Sequence, residues 1–247
     1  MSRSNQTELI NPAQRFFSWK GGDGELVYFD KERGEKGENV IVPFPFRFLV
    51  LDVLTGATGG KEVNGQYHGY WSNAVRNTKH QQLVVKAKDG VVARGFYEDI
   101  KGRDGIKFQQ LVYIAFYDDD KNLQIGCLKL HGAAVSAWFE YRKAHRNIYD
   151  GAITVTGRSE EKKKGKTVYY EPVFAPFTNV SDETDASAKE LDTHLQEYLT
   201  AYFAQTGIEE VEQAYTGIVD EESQWSPDVN ATPPDYIDDD PDADVAW

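Results

Sequence analysis

Apolar and polar residues alternate through most of the chain, with Gly, Asp and Asn clusters between the alternating runs, the pattern of short strands joined by turns. Leu26-Val-Tyr-Phe29 reads as a strand, and the charged stretch Lys31 to Glu38, with Gly34 and Gly37, as a turn. Val40 to Val53 is strongly β in composition. Pro43 and Pro45 cannot donate to a ladder, so its first half is expected at an edge or a bend. Thr55 to Gly65 reads as a loop. Leu83–Ala87 and Val91–Arg94 flank Lys88-Asp89-Gly90 as a hairpin, and Gln109–Tyr117 and Leu123–Leu130 flank Asp118-Asp-Asp-Lys-Asn122 as another.

The period changes at Gly132 to Arg146. There Ala133, Ala134, Ala137, Trp138, Tyr141 and Ala144 fall at helical spacing, with Arg142, Lys143 and Arg146 near the end, where cations suit the helix dipole. A further hairpin is expected from Ala152–Arg158 and Thr167–Phe174 around the tip Glu160–Gly165. Ser181 opens a second helix with acids in its first turn. Leu191, Leu195, Tyr198, Leu199, Tyr202 and Phe203 form its apolar face, and Gly207 ends it. Beyond about residue 217, prolines and an Asp run leave too little apolar surface to build a core, which predicts disorder. The expected layout is a mainly β body over 1–180, a helix over 181–207 packed on it, and an acidic tail over 208–247. Strands interrupted once by a helix suggest a small closed or partly open barrel, the five-stranded OB-fold being the simplest architecture of that kind that holds oligonucleotides.

Charge divides along the same lines. The formal net charge is -13, but residues 208–247 hold thirteen acids and no Lys or Arg, whereas residues 1–180 carry 26 bases against 21 acids. An acidic whole thus conceals a mildly basic body. The single cysteine, Cys127, excludes an internal disulfide and a cysteine zinc site, and its apolar surroundings suggest an inert core position in a reducing compartment. No leader-like apolar stretch follows Met1, and no run of about 18 apolar residues occurs, so a soluble cytoplasmic protein is expected.

Aromatics make up 13% of the chain, and cations interleave with them. Trp19 abuts Lys20, and Arg47 lies between Phe46 and Phe48. Tyr67, Tyr70 and Trp71 precede Arg76 and Lys79; Lys86, Lys88 and Arg94 lead to Tyr97; Lys107 precedes Tyr113. Lys162, Lys163, Lys164 and Lys166 crowd one loop. Cations that track phosphates beside rings that stack on bases are what sequence-tolerant binding of a single strand requires. Alternation places Lys86 and Lys88 on one face of their strand. The competing structural reading assigns Phe44, Phe46, Phe48, Phe116, Phe174, Trp138 and Tyr141 to the core. Trp19 and Trp71, in Gly-rich and polar settings, are the better stacking candidates.

Signatures of catalysis are missing: no phosphate-cradling Gly-Lys-Ser/Thr loop, no dinucleotide fingerprint, and no metal-ligand spacing among His68, His80, His131, His145 and His194. No cofactor is implied. The closing stretch, from Pro233 through Asp238, Asp239, Asp240, Asp242 and Asp244 to Trp247, joins acids that can steer an approach to a ring that can enter a basic-rimmed apolar pocket. The same polyanion can compete with nucleic acid for the basic body.

With that tail, the opening Asn11-Pro-Ala-Gln-Arg-Phe-Phe-Ser-Trp-Lys-Gly-Gly22 and the stretch Val42-Pro-Phe-Pro-Phe46, the chain resembles bacteriophage single-stranded DNA-binding proteins. It departs from the bacterial tail, which usually ends Pro-Phe, by ending Val-Ala-Trp. The resemblance implies an OB-fold body, protection of single strands in DNA replication, recombination and repair, and recruitment of polymerase or helicase-primase by the tail. A homodimer is compatible with this layout. Two alternatives stand beside it: an interaction or DNA-mimic module acting through its acidic end, and a metal-dependent nuclease using Asp118, Asp119 and Asp120 with Glu98 or Asp99.

Overall fold

The computed structural model describes residues 9–206. The acidic tail, with Asp238, Asp239, Asp240, Asp242, Asp244 and Trp247, lies outside the described residues. Within them the protein is mainly β, with an inserted helix and a long C-terminal helix. The strands are β1 (Arg15–Lys20), β2 (Glu25–Asp30), β3 (Glu38–Ile41), β4 (Phe46–Val63), β5 (Gln66–Ser72), β6 (Leu83–Ala87) and β7 (Gly90–Gly95). A one-turn helix α1 (Tyr97–Ile100) leads to β8 (Ile106–Tyr117), β9 (Leu123–His131) and α2 (Gly132–Ala144). Then come β10 (Ala152–Arg158), β11 (Lys162–Lys164), β12 (Thr167–Tyr169), β13 (Pro172–Thr178) and α3 (Asp182–Thr206).

One sheet runs in the order β3-β2-β1-β9-β8-β4-β5-β6-β7, with β10 joining the start of β4 and pairing β13 on its other side. Neighbours are antiparallel except β1 and β9, which run parallel. The sheet does not close on itself as the expected five-stranded barrel would; its β10 side meets the β1–β2 turn through side chains and loops instead. Trp19 Nε1 donates to the Tyr170 carbonyl at 2.9 Å, and the Tyr170 N–H donates to the Gly21 carbonyl at 2.8 Å.

Alternation sends β1, β4, β8 and β9 side chains to two faces. The inner face, with Phe17, Trp19, Phe48, Val112, Ile114, Phe116 and Leu128, closes over α2, whose Trp138 is fully buried and donates from Nε1 to Gln110 Oε1 at 2.9 Å. A second inner core, Tyr70, Leu83, Val85, Tyr97, Ile100 and Ile106, fills the concavity of the β4–β7 end. On the outer face, Leu54, Tyr113, Ile125 and Cys127 pack against Leu195, Leu199 and Phe203 of α3. Each such side chain taken from water contributes about 1.5–3 kcal/mol, so the helix is held chiefly by this stripe. Ser181 Oγ accepts the Thr184 N–H at 3.2 Å, and Asp182, Glu183 and Asp185 suit the positive end of the α3 dipole.

Two expected features differ. The segment 55–65 is not a loop but the second half of β4, paired to β8 on one side and β5 on the other. Its glycines serve close approach rather than a turn: a Cβ at Gly59 would strike the Gly105 carbonyl, and one at Gly60 would strike the Tyr67 hydroxyl and the His68 carbonyl. The chain reverses only at Asn64-Gly65, both at positive φ (54° and 77°), the two-residue turn that matches strand twist. Likewise β10 pairs Pro172–Thr178, and the lysine segment folds on itself as the separate β11–β12 hairpin.

Candidate functional site

The outer face of the sheet changes character halfway along its strands. On β8, Tyr113 and Leu111 lie towards α3, whereas Gln109 and Lys107 lie beyond it; on β4, Leu54 gives way to Gly56 and Thr58; on β9, Ile125 and Cys127 give way to Lys129 and His131. Past the helix, one cross-strand row reads Lys107 on β8, Thr58 on β4, Trp71 on β5 and Lys86 on β6. Directly paired residues point to the same side. Their neighbours Phe108, Ala57, Tyr70 and Val85 point the other way, into the cores. Trp71 is 38% exposed and Lys86 is exposed. Val84 pairs Arg94 on the same outer side, Lys88 sits in the turn beyond, and the outward Tyr67 folds its ring across Gly60.

Five of the candidates named from sequence therefore meet on one surface: Trp71, Lys86, Lys88, Arg94 and Lys107, with Tyr67 at its margin. Trp19, Tyr70, Tyr97 and Tyr113 do not belong to it. They are 4%, 3%, 5% and 4% exposed, enclosed in the cores, and a ring packed on both faces offers none to a base. Burial also pushes the Tyr113 phenol above its ordinary value, while Asn11 Nδ2 donates to its oxygen at 3.1 Å.

Two arginines act as braces. Arg76 Nη1 lies 3.1 Å from Asp52 Oδ2, its guanidinium stacks 5.4 Å from the Phe203 ring, and Gln196 Nε2 donates to the same carboxylate at 3.1 Å. Together with the Ala74 N–H donating to Tyr202 Oη at 2.8 Å, this pins the last turns of α3 to the segment after β5. Arg47 donates to Thr178 Oγ1 at 2.9 Å and to the Asn179 carbonyl at 3.1 Å, fixing the approach to α3. Lys79 is exposed in the 77–80 turn.

The remaining cations form a separate group. Lys20 ends β1, beside the turn against which Tyr170 and the β11–β12 hairpin are anchored. In that hairpin Lys162 pairs with Glu171 at 2.5 Å and Lys163 with Glu161 at 3.0 Å, so acids from its own neighbourhood offset these lysines; Lys164 and Lys166 are solvent-exposed.

The acids of the nuclease alternative are not assembled. Asp118 follows β8 and Glu98 and Asp99 precede it, separated by a 12-residue strand of roughly 35 Å. Asp118 is tied up by the N–H groups of Asp120 and Asn122, and the Asn122 contact leads those that hold its carboxyl below the ordinary value. Asp119 pairs with Arg15 at 2.7 Å. Among the described residues no group of three or more His, Cys, Asp or Glu is placed to hold a metal, and no helix is long and apolar enough to cross a membrane.

Two outer-face residues were not singled out from sequence. Phe16 is 38% exposed, and Lys129 Nζ lies 4.7 Å from its ring centroid. Period two carries the signal: if Phe17 and Trp19 point inward, Phe16 points out, and Lys129 interrupts an otherwise apolar strand. No protein-family model matches the chain, and neither a curated protein nor a solved structure matches it.

Proposed function

We propose that this chain is a non-enzymatic, sequence-tolerant single-stranded DNA-binding protein with an OB-fold-like body, coating and protecting exposed strands in phage DNA replication, recombination and repair. One observation supports this above the others: Lys107, Thr58, Trp71 and Lys86 lie in register on a sheet face that α3 leaves open, with Arg94 alongside. An exposed indole flanked by ammonium groups gives a base a surface to stack on and gives the adjoining phosphates counter-charges. Thr58 turns its hydroxyl to the Tyr70 carbonyl, donating at 3.3 Å within the sheet.

The acidic segment 208–247 acts as the intramolecular competitor and as the arm that recruits replication proteins. The last turn of α3 is pinned beside Ala74 and Arg76, and Val75 pairs Thr55, three residues along β4 from Thr58. Helix α3, after which the sequence carries its thirteen acids, thus ends near the basic row.

Fluorescence anisotropy with oligo(dT), duplex DNA and single-stranded RNA tests both parts. Oligo(dT) binds, its affinity falls with salt, and deletion of 228–247 tightens it. No binding to any single strand by the deletion variant removes the proposal; equal affinity with and without the segment removes the competition.

A further inference from the structure

We infer that the strand's track does not end at the Trp71 row but crosses the sheet diagonally to a second stacking station, Phe16 backed by Lys129. This rests on the function proposed above and adds where the strand runs and how much of it is engaged. Phe16 and Lys129 stand on the same outer face as Lys107: Ser18 pairs Lys129, Lys129 pairs Leu111, and Leu111 lies four residues from Lys107 on β8. Phe16 is an exposed aromatic on a strand whose inward positions, Phe17 and Trp19, are buried, so it does nothing for the inner core. It is also absent from the group packed beneath α3.

The ammonium of Lys129 over the ring sets a cation beside an aromatic plane, as the register sets Lys86 opposite Trp71. A bound strand converts the contact: a base takes the ring, and the lysine turns to the phosphate beside it. Between the stations the outer face is carried by Gln109, a neutral hydrogen-bonding residue, with no acid on the direct line through Leu111, Gln109 and Lys107. Four strand spacings across and six residues along separate Phe16 from Trp71, roughly 28 Å on the face. At about 3.4 Å per stacked nucleotide a strand of about eight residues spans that distance, and a stretched one of fewer. A site of this length falls within the roughly 4–16 nucleotides that one such body engages.

The test compares Phe16→Ala, Phe16→Trp, Lys129→Ala and Trp71→Ala in the full chain, each checked for an unchanged unfolding midpoint. The probes are fluorescein-labelled (dT)20 and unlabelled (dT)3, the latter read as a competitor at high concentration. Losing a stacked base lowers affinity roughly five- to hundredfold, so Phe16→Ala weakens (dT)20 by a factor in that range while Phe16→Trp retains binding. Lys129→Ala lowers the log–log salt slope by about 0.7. Trinucleotide, too short to reach both stations, loses affinity with Trp71→Ala by a larger factor than with Phe16→Ala. If Trp71→Ala weakens (dT)20 and Phe16→Ala does not, the second station is wrong and the site at Trp71 stands. If neither variant weakens it, both are wrong.

Discussion

The two halves of the outer sheet face are made from the same strands and meet different fates. Under α3, β4, β8 and β9 present Leu54, Tyr113, Ile125 and Cys127, and a helix covers them. One to three pleats further, the same strands present Thr58, Lys107, Lys129 and His131, and β5 and β6 add Trp71 and Lys86. Strand pairing runs through both sides of the border, with a register shift between Val50 and Asp52 on the covered side. What differs is whether side chains gain more from a protein partner than from water. Leu and Ile gain, so the helix docks; Lys keeps its ammonium in water, and beyond the helix Trp71 lies 38% exposed among lysines.

The largest expected effect lies on the covered side. Leu195→Ala removes a fully buried side chain between α3 and the sheet and costs about 2–5 kcal/mol of stability, measured by urea unfolding. Its affinity for oligo(dT), measured well below the transition, stays unchanged if the halves are independent. Trp71→Ala does the opposite: about 1–3 kcal/mol of binding is lost in anisotropy titrations. Its unfolding free energy falls by less than that of Leu195→Ala, because the ring is 38% exposed whereas Leu195 is fully buried. A stability loss at Trp71 as large as that at Leu195 would mean that its ring serves as core, and the division would dissolve.

Smaller effects sharpen the border. Lys86→Ala and Lys107→Ala should each lower the log–log salt slope by about 0.7, provided each meets a phosphate. The Cys127 thiol, fully buried beside α3, is pushed up to about 12 by desolvation. A raised thiol value means less thiolate, so iodoacetamide at pH 8 modifies the native protein far more slowly than the urea-unfolded one. Leu195→Ala should speed that reaction and Trp71→Ala should not.

The sequence made the strands, both long helices and the apolar face of α3 legible because each follows from a local period. The glycine-rich stretch misled for a local reason too: Gly59 and Gly60 look like a loop until Gly105 and Tyr67, distant or across a turn, are known to press against them. The Asn64-Gly65 turn was the readable signal inside it. The tryptophans show the other limit. Trp19-Lys-Gly-Gly and Tyr70-Trp71-Ser share the same polar setting, yet Trp19 is sealed by Phe44 and the Tyr170 carbonyl while Trp71 faces out. Which face of a strand is inside is set by its partners' register, and no single strand contains that. Arg76 illustrates the same point for charge: its role is decided by Asp52 and Phe203, 24 and 127 positions away.

Strand β4 runs unbroken from Phe46 to Val63 and borders every one of the cores, with β8 hydrogen-bonded along most of its length. Apart from the register shift between Val50 and Asp52, such a girder ties the two ends of the sheet together through one continuous strand. A ligand laid across the face must therefore conform to the protein, giving up its own freedom rather than prompting a closure. Association is then expected to follow encounter directly, its speed set by ionic strength and scaling with concentration without a plateau.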